Sequence, residues 1–159
     1  MRKRKINPQY LRHITSQDVK DEAIDTFEFA DSLKRFADEY LGGIMSISID
    51  GLARGTVNLK LPVASYLIRL ICECGDNEEF IEANINLGDK LTLSVSYKNQ
   101  SPAEDIAQIV KVARLAGFEV EREGNILRFS VSTSITSIMQ IYAVSAEEFF
   151  NILVTTYKM

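Results

Sequence analysis

One histidine and two cysteines in 159 residues leave little material for metal, redox or triad chemistry. A Ser-His-Asp or Cys-His machine would have to be built on His13, which lies in a polar, weakly patterned stretch. Phosphotransfer at His13 would call for a long amphipathic helix pair, and residues 1–25 are too few to supply one. The cysteines, Cys72 and Cys74, stand two apart in an apolar helical stretch. At that spacing they point to different sides of a helix, so a bridge or a shared metal is disfavoured. They read as small hydrophobes, and no metal site is expected. No apolar run is long enough to span a bilayer. The basic start "MRKRK" lacks the apolar region of a signal peptide. A cytoplasmic protein is expected, without membrane attachment. P-loop, dinucleotide, metalloprotease and nucleophile-elbow motifs are all absent, as are internal repeats.

The net charge is −4, and the four bases Arg2 to Lys5 conceal part of the imbalance. Without them 14 bases face 22 acids. An acidic body gives no reason to expect nucleic-acid binding. Adjacent acids such as Glu78-Glu79 and Glu147-Glu148 do not face one another on a helix and read as charged surface.

What the sequence does contain is periodicity. Residues 1–26 read as an arm or a short extra helix. Phe29, Leu33, Phe36, Ala37, Tyr40 and Leu41 recur at helical spacing, and Gly42-Gly43 stops them. "IMSISID" and "TVNLKL" each alternate apolar with polar residues around the loop "DGLARG", which predicts a hairpin. Pro62 opens a second helix whose stripe is Val63, Tyr66, Leu67, Leu70, Ile71 and Cys74, ended by Gly75. A hairpin follows over residues 81–97, turning at Gly88-Asp89. Ser101 caps a third helix with Pro102 at its first position, and Gly117 ends it. The last hairpin turns at Gly124-Asn125 and closes on Leu127, Phe129 and Val131. "SIMQIYAV" offers one more strand. Ser145 and Glu148 form a capping box before a helix striped with Phe149, Phe150, Leu153, Val154 and Tyr157.

Every strand has one wet face, carrying Ser46, Ser48, Asn84, Asn86, Ser94, Ser96, Ser130 and Ser132. A sheet wet on one side and covered by helices on the other predicts an α+β, two-layer sandwich. The sheet should be mixed and mainly antiparallel, with helices over 29–41, 62–75 and 102–116 on one face.

This order, and the closing stretch "IVKVARLAGFEVEREGNILRFSVS", resembles the histidine kinase-like ATPase domain, the GHKL or Bergerat fold. The resemblance covers residues 27–133, with 134–159 as an extension packed on the domain or at a dimer interface. It implies a nucleotide pocket built from three places, and the sequence departs at each. The magnesium-binding asparagine of the family falls on Glu73, which reads as a solvated helix-end residue. The adenine-reading "D-x-G-x-G" falls on "YKNQS". Tyr97 stands for the aspartate and reads as core, while Asn99 and Ser101 stand for the glycines. Only Lys98, Asn99 and Gln100 separate Tyr97 from Ser101, where the family has a lid and a phosphate loop. The degenerate pocket positions are therefore Glu73, Asn77, Tyr97, Asn99 and Ser101, and no cofactor is expected.

The resemblance then implies a domain that does not hydrolyse ATP and works by binding a protein partner, in a bacterial two-component or anti-sigma type of signalling system. Two alternatives stay open. One is a divergent ATP-binding kinase, histidine kinase-like or anti-sigma-like, with ATP and magnesium in a rebuilt pocket. The other is a phosphotransfer-type partner of a response regulator. A homodimer through residues 134–159 is equally open.

Overall fold

A computed structural model describes residues 9, 12, 19–74, 80–97, 103–134 and 143–159. Among these residues lie seven strands and four helices. In chain order they are β1 (Glu22–Asp25), α1 (Thr26–Tyr40), β2 (Met45–Gly51), β3 (Thr56–Leu59), α2 (Leu61–Cys74), β4 (Ile81–Leu87), β5 (Lys90–Ser96), α3 (Ala103–Ala116), β6 (Glu119–Glu123), β7 (Ile126–Ser132) and α4 (Ala146–Lys158).

The main sheet has the order β2-β4-β5-β7-β6. β2 and β4 are parallel, and the other three pairings are antiparallel. Ile47, Ile85, Leu93 and Phe129 are buried on one face of this sheet. On the other face, Ser46, Ser48, Asn86 and Ser132 are exposed, and Asn84, Ser94, Ser96 and Ser130 are half-buried. The fold is the two-layer α+β sandwich that the alternation predicts.

The hairpin predicted from "IMSISID" and "TVNLKL" does not form. β2 leaves at the edge and pairs in parallel with β4, which α2 makes reachable as a crossover. β3 instead pairs antiparallel with β1 in a separate two-stranded sheet. Gly51 (φ 89°) turns the chain away, and a Cβ there would collide with the Leu87 carbonyl. The stretch read as an arm therefore ends in a strand, and α1 begins at Thr26 rather than at Phe29. Asp25 is its N-cap, and its Oδ1 accepts from the Phe27 and Glu28 amides.

α3 ends in a Schellman turn, with the Phe118 amide bonded to Ala113 O and Gly117 at φ 116°. Ser145 caps α4 through the Glu148 amide. α4 packs against both α1 and α2. Its ring Phe149 stacks on Phe29 at 5.0 Å between centroids, and Tyr157 meets Phe36 edge-on. The apolar stripe of the C-terminal helix is thus buried within its own chain. Most of "SIMQIYAV" lies outside the described residues; Val144, at its end, bridges Ile24 of β1.

Candidate functional site

The apolar stripe of α2 turns toward the core, and its last two turns carry Arg69 and the predicted position Glu73. Glu73 is not a solvated helix-end residue: it is 9% exposed. Arg69, one turn earlier and equally buried, donates from Nε to Glu73 Oε1 at 2.8 Å. Arg69 Nη1 also donates to Thr156 O of α4 at 3.3 Å. The solvated reading failed because burial of this helix end comes from α4, more than 70 residues later in the chain. A carboxylate that enters such a place needs a partner, and the i,i+4 spacing supplies one.

Tyr97 follows directly on β5 and is buried. Its hydroxyl donates to Ile71 O of α2 at 2.9 Å. The phenol thus ties the end of the third main-sheet strand to α2. Asn77, Asn99, Ser101 and His13 lie outside the described residues, so only Glu73 and Tyr97 of the predicted positions can be placed. Both make direct contacts to α2 groups.

A second polar cluster lies at the start of α1, and sequence reasoning missed it. Asp25 Oδ2 accepts from Arg54 Nε at 2.9 Å while its Oδ1 caps the helix. The guanidinium sits 5.2 Å from the Phe27 ring centre. The hydrogen bond that Arg54 donates to Asp25 raises the guanidinium pKa above its already high ordinary value. A recess of about 480 Å³ opens here, lined by Asp25, Glu28, Arg54, Ala143 and Ser145. The only sequence signal was Asp25 ahead of an apolar-periodic run, a plain N-cap pattern. Among the described residues no three His, Cys, Asp or Glu side chains converge as a metal site would require. Among the described residues no helix is long and apolar enough to cross a membrane.

Nearby on β1, partial burial and then the charge of Glu148 push the Glu22 carboxyl above its ordinary value of 4.5. A raised carboxylate pKa means that ionisation costs stability above the folded value, and that the cost vanishes as pH falls through it. Glu22→Gln should therefore raise Tm at pH 7 and leave it unchanged at about pH 3, where both states hold the proton. Equal gains at both pH values would sink this account.

No family model matches the chain, and no curated protein matches it in sequence. Thirty-six chains of solved structures are similar in fold. The catalytic domain of histidine kinase ThkA is 12% identical over 74% of this chain and 99% of that one, with a TM-score of 0.46. The mycobacterial sensor histidine kinase MprB is 9% identical over 73% and 99%, with a TM-score of 0.45. The Acinetobacter baumannii histidine kinase AdeS is 13% identical over 81% and 77%, with a TM-score of 0.47. At these identities the likeness concerns the path of the chain alone.

Proposed function

We propose that this chain is a Bergerat-like protein-interaction domain of a signalling system, without ATP hydrolysis. The observation that carries the reading is Tyr97. An adenine-reading aspartate presents an acceptor to the base. The side chain at that position is instead a buried phenol whose hydroxyl donates to Ile71 O. Glu73 supports the same reading, because its carboxylate is already engaged by Arg69 away from solvent. A magnesium ion there would have to compete with a buried guanidinium.

Thermal denaturation in excess Mg-ATP tests this directly. A ligand that binds only the folded state stabilises it by RT ln(1 + [L]/Kd), about 2.7 kcal/mol at a hundred times Kd. The expected result is no shift. An upward shift with Mg-ATP that pyrophosphate does not reproduce would establish the divergent ATP-binding reading instead.

A further inference from the structure

We infer that the free edge of β2 is a docking strand for an extended, basic segment of a partner protein. This rests on the interaction reading above and gives it a surface and a partner chemistry.

β2 is seven residues long and forms one end of the main sheet, with β4 on its inner side only. In a strand paired on one side, alternate residues turn their N–H and C=O groups outward. Ile44 O accepts from Ile81 of β4, whereas Met45 N–H bonds Leu41 O and Ile47 O is reached by Lys34 Nζ at 3.1 Å. The outward set is therefore Met45, Ile47 and Ile49. Among the described residues no further strand lies beyond them.

A long edge invites strand addition unless it is blunted, and lysine is a common guard. Lys34, which projects from α1, plays that part here. It occupies the Ile47 acceptor and stands 3.9 Å from Asp38, with about half its side chain in water. An incoming N–H can take Ile47 O while Lys34 closes onto Asp38, so the guard has a second place to go.

The charges beside the edge select the occupant. On the helix side a shallow recess is lined by Asp31, Lys34, Arg35, Asp38 and Glu39. Arg35 is spent on Glu39 and Glu147. On the open face Asp50 and Glu82 are exposed. Acids thus flank the edge on both sides, with Lys34 the one base left between them among the described residues. An extended segment pairing with β2 would direct alternate side chains to these two sides. Lysines or arginines complement both, whereas a second copy of this chain would bring the same acids.

The test uses the full chain and a fluorescent peptide that repeats Lys-Lys-Val, so that lysines face both sides of the edge, read by anisotropy. The expected results are saturable binding, loss of binding when glutamate replaces lysine, and loss when alternate peptide amides are N-methylated. Asp31→Asn with Asp38→Asn should weaken binding. Lys34→Ala should tighten it about fivefold, the worth of one net hydrogen bond. Equal binding of the N-methylated peptide would reduce the effect to bulk electrostatics and overturn the strand assignment. Self-association of the Lys34→Ala chain would overturn the partner in favour of a second copy. Absence of peptide binding together with no Mg-ATP shift would remove the edge proposal alone. A Mg-ATP shift with peptide binding intact would remove the interaction-only reading and leave the edge.

Discussion

Arg69→Met should cost the folded state about 3–5 kcal/mol, because it leaves the Glu73 carboxylate buried without its counter-charge. The pair lies with side chains 8% and 10% exposed, so water cannot replace the missing guanidinium cheaply. Arg69→Met also removes the donor to Thr156 O near the end of α4. The double variant Arg69→Met/Glu73→Met should recover most of the loss, since an apolar pair of similar volume often matches a buried ion pair or improves on it. Urea unfolding midpoints of the two single variants and the double variant give the comparison. If the double variant is as unstable as Arg69→Met alone, the unpaired charge is not the cause.

Phe149→Ala should have an effect of similar size, about 3–5 kcal/mol, by opening a cavity among rings that are wholly buried. Phe149 stacks on Phe29 with only 13° between the ring planes. A double-mutant cycle with Phe29→Ala should show a coupling of about 0.5–1.5 kcal/mol beyond the lost area. Against a typical domain stability of about 5–15 kcal/mol, either single change removes a large share. A loss below about 1 kcal/mol would mean that α4 is not the load on α1 that its packing indicates.

The elements were legible where periodicity is local. α2 and α3 fall within a residue of their predicted limits, because Pro62, Gly117 and the apolar stripes all act within a few residues. The hairpins over 81–96 and 119–132 form because short turns bring their strands together directly, three residues (Gly88 to Lys90) inside the Leu87↔Leu91 pair and two (Gly124-Asn125) inside the Glu123↔Ile126 pair. The hairpin predicted from β2 and β3 failed for a physical reason. Alternation specifies which face is wet but carries no information about which strand lies alongside. The strand β1 was hidden because four residues with one polar-to-apolar change give no period to read.

The candidate site divides in the same way. Tyr97 continues an inward alternation and was readable as core; its bond to Ile71 O was not, since nothing local shows where α2 passes. Glu73 was misread because a charged residue near a helix end is ordinarily solvated, and what buries it comes from α4. Arg69 was the missed clue: an arginine in "YLIRLICEC", four residues before a glutamate, marks a pair that can enter a core together.

The ring stack between Phe29 and Phe149 joins residues 120 positions apart. During synthesis Phe29 leaves the ribosome long before its partner exists, by about 6–24 s at ordinary translation rates. The Ile24 bridge to Val144 and the Thr56 bridge to Ser134 wait on the same late arrivals. A nascent chain stopped before residue 145 therefore holds α1 and α2 without the helix that packs on both. Until α4 is made, chaperones and proteases meet an apolar face of α1 and α2 that α4 later covers.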